Sequence, residues 1–191
     1  MIIGITGGTG SGKTTLLEIL RRQGAMVLDC DAIYHKLLQT DPQLLQEIES
    51  HFPGTVIDGQ LNRKLLGSRV FSDESALLTL NKITHTAVRE EVLRALASTP
   101  GLAAIDAIGL FEGGLAGLCD ITVAVIAPMA ERIRRLTARD KISEEYAKKR
   151  ILAQHEDAWF REKCDYVLTN DSTPEAFEVR CLAFCKEIGI M

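Results

Sequence analysis

Short apolar runs alternate with amphipathic ones along most of the chain, and this alternation predicts the secondary structure. A short apolar run bounded by glycine or by polar residues is typical of a buried parallel strand. Runs of this kind alternate with stretches of helical periodicity, which predicts an α/β fold with a five-stranded parallel sheet. We expect the strands at residues 1–6, 25–28, 102–105, 121–126 and 166–168.

Local capping signals predict the ends of the helices around this sheet. Gly24 would end the first helix, since glycine readily adopts the conformation that follows a helix C-terminus. Asp31 and Ser143 are candidate N-caps, because their side chains can accept from the exposed N–H groups of a first turn. The expected helices span residues 13–23, 32–39, 144 to about 161, and 174 to about 188.

The block between the second and third predicted strands shows no strand-like alternation and is predicted to be helical. Asp41-Pro42 is a helix start with proline at the first helical position, and Asp73 would cap a long helix. The predicted boundaries are 1–40 and 99–191 for the core and 41–98 for the helical insertion.

A glycine-rich stretch with the sequence G-G-T-G-S-G-K-T-T follows the first strand. It matches the P-loop pattern G-x-x-x-x-G-K-[ST], and it has the preceding strand and following helix that the pattern requires. Glycines let the backbone approach a phosphate, successive N–H groups form an anion-binding nest, and the helix N-terminus adds positive potential. The candidate nucleotide-binding residues here are Gly8, Thr9, Gly10, Ser11, Gly12, Lys13, Thr14 and Thr15.

The same stretch fits a dinucleotide fingerprint less well, because Lys13 would stand where that fingerprint requires its third glycine. We therefore predict a nucleoside triphosphate ligand. Lys13 can reach its β- and γ-phosphates, and the Thr14 hydroxyl can bind Mg²⁺. The pattern does not say which molecule receives the phosphoryl group.

Carboxylates follow the second and third predicted strands. Ligands of open α/β sheets bind outside the carboxyl ends of the strands, so one of the two acids Asp29 and Asp31 is expected beside the P-loop. Asp31 can act on the acceptor, cap the next helix, or do both. Asp106 ends the third strand, as the magnesium-binding acid of a Walker B element does.

The helix that begins at Pro128 carries three arginines on one face, because Arg132, Arg135 and Arg139 are spaced by three and four residues. Such a face suits phosphate binding, although a solvated basic face is the alternative. We assign Arg135 to the nucleotide and Arg139 to catalysis. The corner that follows resembles a helical lid, which we place at about residues 135–150.

Composition excludes several classes of protein. Apolar residues make up 46% and charged residues 25% of the 191 residues, which is ordinary for a globular protein. The net charge of −4 argues against a nucleic-acid partner, and no apolar run is long enough for a membrane span. The start of the chain lacks the features of a signal peptide. Five cysteines, an odd number, predict reduced thiols in the cytoplasm. No pair of histidines has metal-ligand spacing.

The order of motifs along nearly the whole chain resembles the dephospho-coenzyme A kinase family. The motifs beyond the P-loop are V-L-D-C-D-A-I at 27–33, L-N-R-K-L-L-G-S-R-V-F at 61–71, L-N-K-I-T-H-T at 80–86, D-A-I-G-L-F-E at 106–112, R-R-L-T-A-R-D at 134–140, R-I-L-A-Q at 150–154 and C-D-Y-V-L-T-N at 164–170. Their order and spacing together are specific, whereas no single later motif is diagnostic.

The resemblance implies ATP-dependent phosphorylation of the 3′-hydroxyl of dephospho-coenzyme A, the last step of coenzyme A synthesis. It implies a doubly wound P-loop kinase core with a helical acceptor domain and a lid, in a cytoplasmic enzyme that we expect to be a monomer or a weak oligomer. Asp31 becomes the expected base or orienting acid. The remaining assignments are Arg63, His85 and Glu112 for the substrate, Asn170 for the nucleotide, and Thr14 with Asp106 for Mg²⁺.

Three positions depart from the family pattern. Ile108 replaces a proline, Thr86 follows His85 where the family has another proline, and Arg132 replaces a glutamine. Two other functions stay open at this point. One is a P-loop kinase for a different small acceptor, which an acceptor panel would distinguish. The other is a nucleotide-sensing protein, in which ADP formation would not depend on an added acceptor.

Overall fold

A computed structural model describes residues 1–191 and gives seven strands and nine α-helices. The strands are β1 Ile2–Thr6, β2 Met26–Asp29, β3 Val56–Ile57, β4 Gln60–Leu61, β5 Ala103–Asp106, β6 Ile121–Ile126 and β7 Tyr166–Thr169. The helices are α1 Lys13–Arg22, α2 Cys30–Thr40, α3 Pro42–His51, α4 Arg63–Val70, α5 Glu74–Ser98, α6 Met129–Asp140, α7 Glu144–Leu152, α8 Asp157–Lys163 and α9 Pro174–Glu187.

Five strands form one sheet in the order β2-β5-β1-β6-β7, and β1 runs parallel to both of its neighbours. The strand order reverses at β1, so the carboxyl end of β1 is the switch point where doubly wound sheets bind ligands. This confirms the predicted α/β class with five parallel strands.

The sheet of this first unit is covered on both faces because side chains alternate along β6. Val123 and Val125 pack with α1 and α9 in the main cluster, whereas Ala124 and Ile126 pack with Phe160 of α8. This period of two is the geometry of an extended strand. A third cluster joins α6 to α7.

Contacts divide the chain into two compact units. The first contains residues 1–28, 101–110 and 115–191, and the second contains residues 29–100 and 111–114. The second unit therefore begins at residue 29 instead of 41, because α2 packs with α5. Helices α2, α3 and α4 all pack against the long α5.

Three local predictions were wrong. Asp29, not Asp31, is the N-cap of α2: its Oδ1 accepts from the Ala32 N–H at 2.9 Å. A two-stranded hairpin, β3–β4, lies within the block predicted to be all-helical, and its turn residues Asp58 and Gly59 both have positive φ. An Asp-Gly pair is a known signal for such a turn.

The third error concerns the helix predicted from 144 to about 161, which the structure divides into α7 and α8. The break contains Gln154, whose side-chain oxygen accepts a hydrogen bond from the Thr9 N–H of the glycine-rich loop. Tertiary contacts thus interrupt a stretch that is helical by periodicity.

None of the helices combines the length and apolar character needed to cross a bilayer. The five cysteines form no disulfide. Burial raises the pKa of Cys119 and of Cys164 to about 11 and that of Cys181 to about 12. These thiols are therefore poor nucleophiles at neutral pH.

Candidate phosphate-binding and acceptor sites

The loop between β1 and α1 has the backbone of an anion-binding site. Gly7, Gly10 and Gly12 have φ of 131°, 77° and 99°, which L side chains rarely adopt. A Cβ on Gly7 would also lie 2.1 Å from the Val125 carbonyl oxygen. Any larger residue would therefore displace the loop from β6, so glycine is needed for space as well as for conformation.

Lys13 begins α1 and lies beside an acid. Its Nζ donates to the Gly7 carbonyl at 3.1 Å and lies 4.0 Å from Asp106 Oδ1. The two side chains are only 14% and 19% exposed. The loop lysine and the acid that sequence analysis compared with a Walker B element are therefore neighbours.

Asp106 ends β5, and its register partner on β1 is Ile5. Thr14 lies in the first turn of α1 and is exposed. One carboxylate and one hydroxyl suit Mg²⁺, which keeps several waters and binds substrate phosphates through few protein ligands. No group of three or more His, Cys, Asp or Glu side chains forms an all-protein metal site.

Arg135 and Asn170 both bind the backbone of the loop. Arg135 Nη1 donates to the Gly10 and Ser11 carbonyls at 3.2 and 3.1 Å, and its Nη2 donates to Asn170 Oδ1 at 3.3 Å. Asn170 is buried, and its Nδ2 donates to the Ser11 carbonyl at 2.8 Å. These two side chains, both predicted to bind the nucleotide, therefore contact each other and donate hydrogen bonds to carbonyl groups of the loop.

Arg132 neither lies on a solvated face nor reaches outward as a phosphate clamp would. Only 6% of it is exposed, and its Nε donates to the Thr9 carbonyl at 2.9 Å. Gln154 Oε1 accepts from both Arg132 Nη2 and the Thr9 N–H at 2.9 Å. Sequence reasoning missed Gln154 as a loop contact, although it ends the R-I-L-A-Q motif.

Arg139 lies apart from this network. Its side chain is 63% exposed and donates twice to Asp140, from Nε at 2.6 Å and from Nη2 at 3.1 Å. Arg150 Nη1 donates to the same carboxylate at 2.7 Å. Hydrogen bonds from these two arginines lower the pKa of Asp140 to about 2. The three arginines that spacing places on one face of α6, Arg132, Arg135 and Arg139, therefore have three different surroundings.

The second unit contains the predicted acceptor residues. Asp31 is exposed in the first turn of α2, and Arg63 Nη2 lies 3.3 Å from His35 Nδ1. Burial raises the pKa of Tyr34, and the charge of Arg63 opposes that shift. His85 is half-buried on α5, and Glu112 belongs to the short 111–114 segment. Tyr34 and His35 are neighbours of Arg63 that the sequence motifs did not single out.

Comparison with known proteins identifies the family. The profile described as dephospho-CoA kinase matches residues 1–175. The dephospho-CoA kinase of Corynebacterium diphtheriae is 37% identical over 93% of this chain and 92% of that protein. The chain belongs to the dephospho-CoA kinase family.

Solved structures agree with that assignment. The Campylobacter jejuni dephospho-CoA kinase is 26% identical, covers 98% of this chain and 96% of its own, and superposes with a TM-score of 0.70. A Thermus thermophilus crystal structure is 35% identical over 98% of this chain and 97% of that one, with a TM-score of 0.83. A shikimate kinase from Acinetobacter baumannii at 20% identity, with a TM-score of 0.53, shares the fold.

The three departures from the dephospho-CoA kinase pattern have different surroundings. The Ile108 carbonyl accepts from Thr6 Oγ1 at 3.0 Å, which anchors the segment after β5 to β1. Thr86 continues α5, and its hydroxyl donates to the Lys82 carbonyl at 2.8 Å. Arg132 alone of the three contacts the phosphate-binding loop.

Proposed function

We propose that this kinase transfers the γ-phosphoryl group of ATP to the 3′-hydroxyl of dephospho-coenzyme A, giving coenzyme A and ADP. The observation that carries the proposal is a P-loop with Lys13 beside Asp106, in a chain that matches the dephospho-CoA kinase profile over residues 1–175.

The chain's own residues account for binding and charge neutralisation. Phosphoryl transfer needs mainly positioning and electrostatic stabilisation. The loop N–H groups and the N-terminus of α1 would hold the phosphates. Lys13 would leave the Gly7 carbonyl and donate to the β- and γ-phosphate oxygens. Its low exposure strengthens that interaction, because charges act more strongly away from water.

Magnesium fits the oxygen ligands at the loop. We propose that the Thr14 hydroxyl binds the ion directly and that the Asp106 carboxylate binds it directly or through a water. Bound there, the ion would neutralise charge on the phosphates. Asp106 also lies 4.0 Å from Lys13, so the acid holds the lysine at the site.

The acceptor residues belong to the second unit in this proposal. Asp31 would accept the proton of the 3′-hydroxyl or orient that hydroxyl toward the γ-phosphate. Arg63, His85 and Glu112 would bind the rest of the acceptor. Arg139 would add positive charge during transfer, as part of a lid at about residues 135–150 whose closure excludes water.

A coupled assay of ADP formation tests the proposal. Dephospho-coenzyme A, nucleoside monophosphates and a no-acceptor blank are compared at one ATP concentration, with and without Mg²⁺. Among these acceptors, we expect only dephospho-coenzyme A to give fast ADP formation. We also expect that reaction to require Mg²⁺. Equal rates with the blank would indicate a nucleotide-sensing protein, and a preference for a monophosphate would indicate a different kinase. Gel filtration would test the predicted monomer or weak oligomer.

A further inference from the structure

The phosphate-binding loop carries a three-membered hydrogen-bond network that lies outside the P-loop pattern. Both backbone polar groups of Thr9 take part: its carbonyl accepts from Arg132 Nε at 2.9 Å and its N–H donates to Gln154 Oε1 at 2.9 Å. Arg132 Nη2 also donates to Gln154 Oε1 at 2.9 Å, which closes the network. Thr9 is therefore held on both sides by side chains from distant parts of the chain.

The charge of Arg132 is in an unusual position. The side chain is buried, and both of its hydrogen-bond acceptors are neutral oxygens. Burial lowers the pKa of Arg132, and the charge of Asp157 opposes that shift. Burying a charge without a directly bonded carboxylate is unfavourable. The position therefore calls for an explanation beyond stability.

The guanidinium also lies against the loop itself. A Cβ on Gly8 would be 2.1 Å from Arg132 Nη2 and 2.6 Å from Cζ. Gly8 has no side chain to keep the charge away from the loop, so the guanidinium packs directly on its backbone.

We propose that Arg132 is a positioning residue for phosphoryl transfer. Together with Gln154 it fixes the peptide groups on both sides of Thr9 and so aims the other N–H groups of the loop at the nucleotide phosphates. The proposal rests on the ATP-dependent function proposed above. It also links the loop to the α6–α7 segment, since Arg132 lies on α6 and Gln154 follows α7 by two residues.

Preorganised donors bind well because they need no rearrangement when the ligand arrives. Arg132→Met keeps the length of the side chain and removes its hydrogen bonds. We expect the dissociation constant for ATP to rise about tenfold, the scale of losing a hydrogen bond to a charged group. Gln154→Ala opens the same network from the other side and should weaken ATP binding similarly. The KM for dephospho-coenzyme A should not change.

A double-mutant cycle shows whether Arg132 and Gln154 position the loop together or whether each substitution weakens ATP binding independently. If the network acts as a unit, Arg132→Met with Gln154→Ala is no worse than the poorer single variant. Arg132→Gln, which restores the residue typical of the family, should recover most of the affinity. Arg134→Met is the matched control, since Arg134 lies on α6 too, is 69% exposed and pairs with Glu131 at 2.8 Å.

Isothermal titration with ATP, without an acceptor, measures the constants independently of turnover. The ATP dissociation constants would therefore still test the role of Arg132 if dephospho-coenzyme A proved not to be the acceptor. Unchanged ATP affinity in both single variants would overturn the proposal, and so would strictly additive effects. A loss in Arg134→Met equal to that in Arg132→Met would also overturn it. Because Arg132 is buried, melting temperatures are measured in parallel, and half-buried Gln154 supplies the variant that tests the network if Arg132→Met does not fold.

Discussion

Asp31→Asn tests the acceptor chemistry most directly, because the structure removes the capping role that sequence analysis kept open as an alternative for Asp31. Asp29 Oδ1 accepts from the Ala32 N–H at 2.9 Å and caps α2, whereas Asp31 is a first-turn acid on the same helix. The two carboxylates are two residues apart and both exposed. The same substitution at each position is therefore a matched pair.

The expected effects differ in size. Loss of general-base or orienting action in Asp31→Asn should lower turnover roughly 10²–10⁴-fold. Loss of a first-turn negative charge costs about 0.3–1 kcal/mol of helix stability. For a chain of this size, 1 kcal/mol lowers the melting temperature by about 2–4 °C. Asparagine caps nearly as well as aspartate, so Asp29→Asn should be almost neutral, whereas Asp29→Ala should lose about 1 kcal/mol.

The assay measures ADP formation with dephospho-coenzyme A, alongside ATP affinity and melting temperature. We expect Asp31→Asn to bind ATP normally, because the phosphate-binding loop is unchanged. Wild-type turnover in Asp31→Asn would refute the catalytic assignment. An equal loss in Asp29→Asn would show that the charge at residue 29, or both charges together, orients the acceptor. A large loss of ATP affinity would move Asp31 to the magnesium site.

Other residues give independent predictions. Lys13→Ala should lower turnover by roughly 10²–10³ at saturating ATP, and near-normal turnover would contradict the loop chemistry. Arg139→Ala should lower turnover while stability stays within about 0.5 kcal/mol, since the side chain is largely exposed; full activity with a lower melting point would favour a structural role. Bonds from Arg139 and Arg150 lower the pKa of Asp140 from 3.8 to about 2, so its contribution to stability is complete above pH 4 and is lost as the pH falls to about 2. Asp140→Asn should therefore flatten the dependence of melting temperature on pH in that window, and an unchanged slope would contradict the assignment.

The parts of the fold that sequence predicted are those set by local rules. β6 was predicted at its observed ends, Ile121–Ile126, because its β-branched apolar run begins after Asp120 and stops just before Ala127-Pro128. Gly7 and Gly12, the two fixed glycines of the P-loop pattern, have positive φ in the structure, as does Gly10 between them. Asp41 and Asp73 cap α3 and α5 as predicted, since a cap depends only on the first turn of its own helix.

The failures arose where several local solutions compete. Asp29 and Asp31 are both good caps by residue type, and the choice between them depends on where β2 ends. The β3–β4 hairpin has strands of two residues each, too short for any alternation to show. Its Asp58-Gly59 turn was the signal that the sequence offered.

The arginine face of α6 shows that helical periodicity does not predict the contacts of each side chain. Spacing places Arg132, Arg135 and Arg139 on one side of the helix, but it does not reveal what that side meets. Arg132 is 6% exposed against the loop, Arg139 is 63% exposed beside Asp140, and Arg135 binds two loop carbonyls. The partner of Arg132, Gln154, is 22 residues away in a break between two helices. A substitution at residue 132 therefore tests a tertiary contact, and only a double-mutant cycle with residue 154 separates that contact from the charge of the helix face.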